Sequence, residues 1–329
     1  MYIKINMRAA LLLVTLSVAV QAEPGRYELR GRLVPETSAS VWLNGATSPF
    51  EDSTLAGEDG RFRFEQLLAG TYTLGVFVPG RGEMRQTIEV GPSLADSKGR
   101  IDLRVALRDE LFESRDGLRR GALVSARDLA IPEQARREFE QARKKLARHD
   151  VPAAVAHLER AVEIAPQFAG AWNYLGTIAY QSHDYPRAES RFRKALAADP
   201  DAFEPLVNLG GVLVNLQKLD EALAYNRHAA LSRPGDALAN SQLGMNYFYL
   251  GKLDLSQKYL TIAARLDPGH FSHPQLLLAE IYYRRQERSA AADELAEFLR
   301  YHPDWPEAAR INERIAWLRA ENGHPVSAP

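Results

Sequence analysis

The chain has 329 residues, 41 of them Lys or Arg against 42 Asp or Glu, and 46% of the sequence is hydrophobic. This near-neutral balance leaves no basic surplus to displace counterions from phosphate, so no nucleic-acid partner is expected. Cysteine is absent, which removes disulfides, thiolate metal sites, thiol nucleophiles and cysteine lipidation; the length suffices for two domains with cores of their own.

Residues 1–22 read as a signal peptide. Lys4 and Arg8 precede an apolar run over 9–20, and Val20-Gln21-Ala22 supplies a cleavage site. The run is too short to span roughly 30 Å of hydrocarbon; an uncleaved anchor or a buried helix is the other reading. Charged, turn-rich sequence starts at Glu23-Pro24-Gly25, and no later stretch is apolar enough to cross a membrane. The expectation is an exported protein, periplasmic or extracellular, with no integral membrane segment after cleavage.

Over 23–108 the hydrophobic period is two. Candidate strands fall at 27–34, 40–43, 61–64, 71–78, 84–90 and 101–107. Phe62 and Phe64 alternate with Arg61 and Arg63, and Asp59-Gly60 and Pro79-Gly80 supply turns. The pattern predicts a small antiparallel sandwich of about seven strands. Glu51, Asp52, Glu58 and Asp59 cluster without the spacing that wraps calcium, so a solvated acidic loop is expected there. The phrases Asp59-Gly60-Arg61-Phe62-Arg63-Phe64 and Gly70-Thr71-Tyr72-Thr73-Leu74 resemble the pattern of carboxypeptidase-regulatory-like, transthyretin-related domains. That resemblance implies an accessory module with Tyr72 plugging the sandwich, and no peptidase activity.

Residues 109–131 carry dense charge and read as a linker, an ordered connector or short helix, before Pro132. From 132 to about 320 the period changes and an internal repeat appears. Pro166, Pro200, Pro234 and Pro268 recur every 34 residues, each closing a similar phrase, and a fifth copy closes one residue late at Pro303. Trp172, Leu175 and Gly176 are matched by Leu206, Leu209 and Gly210 and by Asn240, Leu243 and Gly244. Ala188, Phe192 and Ala195 are matched by Ala154, Leu158 and Ala161. These residues resemble the tetratricopeptide repeat. Departures are Glu138, Asn226 and Ser256, at positions where the pattern calls for Trp, an aromatic and Ala. The small residues allow close helix approach, and hairpins that cannot bury an apolar face alone stack into a solenoid. Asp220, Asp254 and Ser289 are expected to cap second helices, with Pro152 and Pro186 in their first turns. A final helix near Ile311, Ile315 and Leu318 should cap the array, and 321–329 should be a loose tail. The expected fold class is therefore multidomain: a small all-β sandwich followed by an all-α helical-hairpin solenoid, a right-handed superhelix by the resemblance.

No motif of nucleophilic, phosphate-binding or metal chemistry is present. His270, His273 and His302 invite a zinc reading but lack an evident carboxylate partner and read as loop histidines. No enzyme activity, cofactor or metal is expected. By the resemblance, the first helices line a concave groove for a protein or extended peptide partner. Its candidate contacts are Tyr174, Thr177, Tyr180, Gln181, Val207, Asn208, Gly211, Asn215, Gln242, Met245, Tyr249, Leu277, Glu280, Tyr283 and Arg284, an aromatic and amide-rich set. Alternatively, the sandwich binds carbohydrate or a cell surface through Trp42, Tyr27 or Phe77 and the array is a spacer.

Overall fold

The computed structural model describes residues 26–109, 112 and 130–320. The expected signal peptide, most of the 109–131 linker and the 321–329 tail lie outside the described residues.

Seven strands come first: β1 (Tyr27–Val34), β2 (Ala39–Gly45), β3 (Glu51–Ala56), β4 (Arg61–Leu67), β5 (Gly70–Val78), β6 (Gly82–Val90) and β7 (Arg100–Ala106). They form two sheets, ordered β4-β1-β7 and β3-β2-β5-β6. Alternation decides the core, since successive side chains point to opposite faces. Leu29, Leu33, Val41, Leu43, Phe62, Phe64, Leu74, Val76, Met84 and Ile88 all turn inward. Tyr72, 1% exposed, plugs this core; its hydroxyl donates to the Leu68 carbonyl at 2.9 Å, and burial pushes its pKa up to about 12. Two expectations are corrected. The sandwich is not wholly antiparallel, because β7 returns beside β1 in parallel register. The acidic loop is also cut in half: Glu58 and Asp59 lie exposed in the turn before β4, but Glu51 and Asp52 open β3, paired with Asn44 and Leu43, and Glu51 is only 7% exposed. Isolated carboxylates in the sequence do not reveal a strand whose polar groups are satisfied elsewhere in the fold.

Eleven helices follow among the described residues: α1 (Glu133–Leu146), α2 (Val151–Ile164), α3 (Ala169–Gln181), α4 (Tyr185–Ala198), α5 (Phe203–Asn215), α6 (Leu219–Ser232), α7 (Ala237–Tyr249), α8 (Leu253–Leu266), α9 (Pro274–Arg284), α10 (Arg288–Tyr301) and α11 (Ala308–Arg319). They pair as five hairpins plus a closing helix whose Ile311, Ile315 and Leu318 pack on Ala292 and Phe298. The architecture is a β domain followed by an α solenoid.

Within hairpins the matched small residues make the contact. A Cβ on Gly176 would lie 2.6 Å from the Phe192 ring, and one on Gly244 would lie 2.7 Å from Leu260. The third copy solves the same position differently: Gly210 faces the Asn226 amide, which bonds Asn246, itself bonded to the Leu219 carbonyl at 3.1 Å. A polar residue is tolerated where an aromatic was expected because a second buried amide meets it. Glu138, the departure in the first copy, accepts from Arg160 at 2.9 Å and pairs with His157 at 2.7 Å.

Each hairpin turns on one residue in the left-handed region: His149, His183, Gln217, Gly251 and Gln286. The next residue is the cap of the second helix. Asp150 and Asp184 accept from Ala153 N at 3.3 Å and Arg187 N at 3.2 Å, with proline in the first turn. In later copies the cap positions hold Lys218, Lys252 and Glu287 without a side-chain cap. Asp220, Asp254 and Ser289 are therefore not caps. They sit inside the first turn, where the two carboxylates still favour the positive end of the helix dipole. Gly176→Ala should cost about 1–3 kcal/mol by overpacking Phe192, read as a lower urea midpoint with an unchanged slope.

Candidate functional site

The four-stranded sheet lies across the arc of hairpins and rests on it at both edges. At the β3 end, Arg143 of α1 donates to Glu51 at 2.9 Å. The His149 ring stacks on Phe50 at 4.9 Å, and Gln181 Nε2 of α3 donates to the Gly45 carbonyl at 2.9 Å. At the β6 end, Asp267 accepts from Thr87 N at 2.9 Å and Thr87 Oγ1 at 2.6 Å. Glu89 pairs with His302 at 2.9 Å, and Ser93 bonds Asp304. Arg85 reaches Glu204 at 3.4 Å. Burial would raise the Glu204 carboxyl, but Arg85 and Arg233 beside it bring it below the usual range. These contacts run from the last residues of first helices in the early copies to the loops that end the later hairpins.

Between sheet and helices is a cavity of about 840 Å³. The sheet's outer face supplies three cross-strand rows: Leu55, Ser40, Phe77, Glu83; Ser53, Trp42, Gly75, Arg85; and Glu51, Asn44, Thr73, Thr87. Gly75 decides the middle row. A Cβ there would lie 2.0 Å from the Trp42 indole, so glycine lets that ring lie flat on the sheet.

The expected groove residues divide into two sets. Tyr174, Thr177, Tyr180, Gln181, Val207, Asn208 and Gln242 line the cavity under the sheet. Tyr174 is half-buried; burial, then the charge of Glu51, pushes its hydroxyl well above the ordinary tyrosine range. Tyr180 is raised by burial too, and accepts from Asn215 Nδ2 at 3.3 Å. Gly211 is buried, its missing side chain leaving room for the Gln242 amide. The second set lies beyond the sheet. Asn215, Tyr249 and Arg284 end α5, α7 and α9, as Gln181 ends α3, and all three are exposed. Met245 and Leu277 are half-buried; Glu280 pairs with Arg284 at 2.7 Å, and Tyr283 is 38% exposed under Arg314. The inner wall is therefore not one open groove. Sequence reasoning missed Trp42, Asn44, Glu51 and Arg85 as partners of that wall, because nothing local in a strand says what covers its outer face. Nor do the three aromatics of the alternative reading share a platform: Tyr27 lies in the other sheet.

His270, His273 and His302 lie in connections between helices, as expected, but His270 and His302 are each only 3% exposed, and the expected lack of a carboxylate partner is corrected for His302, which pairs with Glu89. His270 Nδ1 meets Ser272 Oγ at 2.6 Å, and His273 packs against His302, Phe298 and Trp305. Among the described residues no group of three or more His, Cys, Asp or Glu could hold a metal ion, and no helix is long and apolar enough to cross a membrane. Burial, then the neighbouring His302, lowers both His270 and His273 to about 3. Between that value and the ordinary 6.5 the unfolded chain binds protons that the folded imidazoles reject. Their contribution to stability is complete above the upper value and is lost as pH falls toward the lower. Glu294, raised to about 7 by burial and by Glu297 and Asp293, works in the opposite sense over its own window. A His270→Asn variant should thus lose less stability than the parent between pH of about 7 and about 4.5, measured as the shift in urea midpoint of each protein.

Residues 125–186 and 175–237 match the tetratricopeptide repeat model. The cellulose synthase operon protein C of Xanthomonas axonopodis pv. citri (strain 306) is 30% identical over 223 residues, 64% of this chain and 15% of that protein. The cell division cycle protein 16 homolog of Homo sapiens is 31% identical over 116 residues, 32% of this chain and 19% of that protein. The chain thus spans less than a fifth of either curated relative. The crystal structure of PilW, a widely conserved type IV pilus biogenesis factor, aligns with a TM-score of 0.51 at 21% identity, covering 57% of this chain and 86% of that one, a likeness of fold. The helical region carries tetratricopeptide repeats, preceded here by a sheet-rich domain.

Proposed function

We propose that this chain is an exported, non-catalytic scaffold that binds a protein partner through the part of its inner wall left free by the sandwich. The observation that carries this reading is the row formed by Asn215, Tyr249 and Arg284. They occupy the same place at the ends of successive first helices, with Tyr249 49% exposed. Tyr283 and Glu280 extend that row, giving tyrosine area, an amide and a cation that together suit a peptide segment with an acidic or amide side chain. Stacked repeats create extended concave surfaces of this kind, and each hairpin adds a matching contact.

The covered set, Tyr174, Thr177, Tyr180, Gln181, Asn208, Gly211 and Gln242, joins such a groove only where the sandwich lifts from the array. The sandwich itself is read as a carboxypeptidase-regulatory-like accessory module, on its Asp59-Gly60 turn, its Phe62 and Phe64 strand and its Tyr72 plug. Export rests on the basic and apolar residues before Glu23. The name of the Xanthomonas relative, a protein of a cellulose synthase operon, agrees with work beside other proteins of an assembly.

The test is capture from a cross-linked envelope fraction with the full chain as bait. Tyr249→Ala combined with Arg284→Ala should reduce the principal captured protein about tenfold, with the circular-dichroism spectrum unchanged. Equal capture by the folded double variant would rule out the open row.

A further inference from the structure

We infer that the cavity between the sheet and the inner wall is a binding site for a neutral oligosaccharide, a short run of pyranose rings. This goes beyond the scaffold reading and is independent of it, since it uses the covered half of the wall and the face of the sheet.

Four features of the site select that chemistry. The first is a bare aromatic plane. Trp42 lies over Gly75 on the outer face of the sheet and lines the cavity. A flat ring with a polar handle suits the C–H face of a sugar, which is apolar, while the rim of the sugar carries hydroxyls. The second is a set of buried oxygens with no hydrogen bond: Asn44 Oδ1, Gln181 Oε1 and Gln242 Oε1. All three belong to residues lining the cavity, one on the sheet and two on the helices. Glu51, 7% exposed, is held by Arg143 and the Tyr174 hydroxyl and is not one of them. A buried acceptor without a donor costs about 1–3 kcal/mol, and a ligand rich in O–H groups offers donors to both walls at once.

The third feature is what the sheet does not offer. A peptide added as a strand pairs with a backbone edge, whereas this cavity faces the side chains of the sheet's outer face. The fourth is charge. Glu51, Glu83, Glu204, Asp236 and Asp267 stand around the cavity against Arg85 and Arg143. That acidic balance disfavours phosphate-bearing or uronic ligands and leaves a neutral one. The volume lies within the roughly 300–1,000 Å³ of small-molecule sites, and Ser53 and Leu55, both exposed, mark where the cavity meets solvent.

The experiment is calorimetric titration of the full chain with cellohexaose, maltohexaose and chitohexaose, repeated with a hexapeptide of Gly and Ser. At least one saccharide should bind and the peptide should not. Trp42→Ala should weaken that binding about tenfold, Trp42→Phe should largely restore it, and Gln242→Leu should weaken it from the opposite wall. None of these positions is in either hydrophobic core, and an unchanged thermal midpoint checks that each variant is folded. The proposal is overturned if none of the three saccharides binds, if binding is indifferent to Trp42 and Gln242, or if the peptide binds in their place.

Discussion

A carboxylate that leaves water must find a compensating charge or a set of donors, and Glu51 finds Arg143 on a different domain. Asp267 is in the same position at the far edge of the sheet, held by two bonds from Thr87. Burial raises Asp267 even so, and the Thr87 bonds work against that rise. Neither group has a satisfactory environment in an isolated sandwich or an isolated array. Docking of one domain on the other is what makes their burial tolerable, and the cavity, the covered half of the wall and the exposed row all follow from that docking.

The repeats explain why the sheet can span the array. Each hairpin presents the same positions at a constant interval, and the sheet bridging them touches the array at its two edge strands and leaves a void between. Gly176, Gly210 and Gly244 set the closeness of helices within hairpins. The single added residue before Pro303 falls in the connection holding His270 and Phe271, and that connection packs under the last strand of the sheet. A lengthened loop with the buried His270 is thus part of the domain contact.

Departures from the repeat pattern acquire reasons in the fold. Asn226 stands in for an aromatic because Asn246 and Gly210 provide a polar, close-packed seat. Ser256, buried at 0% exposure, replaces an alanine of almost the same volume. Lys218 and Lys252 occupy cap positions that aspartate fills in the first two copies, and Lys218 instead reaches Glu189 of the preceding hairpin at 2.8 Å. A lysine ammonium has no acceptor for the N–H groups of a helix start, so the residue at the cap position serves the contact between hairpins instead.

The order of domains, the period of the repeat, the core strands and the small residues between helices were all legible in the residues. Each is written by local periodicity or by steric limits that act within one hairpin or one strand pair. The third strand was missed because its polar residues are satisfied by distant partners, and the caps were misplaced by two positions because a left-handed residue in each turn shifts where the helix begins. The site was legible by half: the wall's tyrosines and amides could be named from repeat position, whereas their division into a covered and an open set could not. That division depends on which face of a sheet meets which turn of a solenoid, a contact between residues 92 to 213 positions apart, and only the tertiary structure decides it.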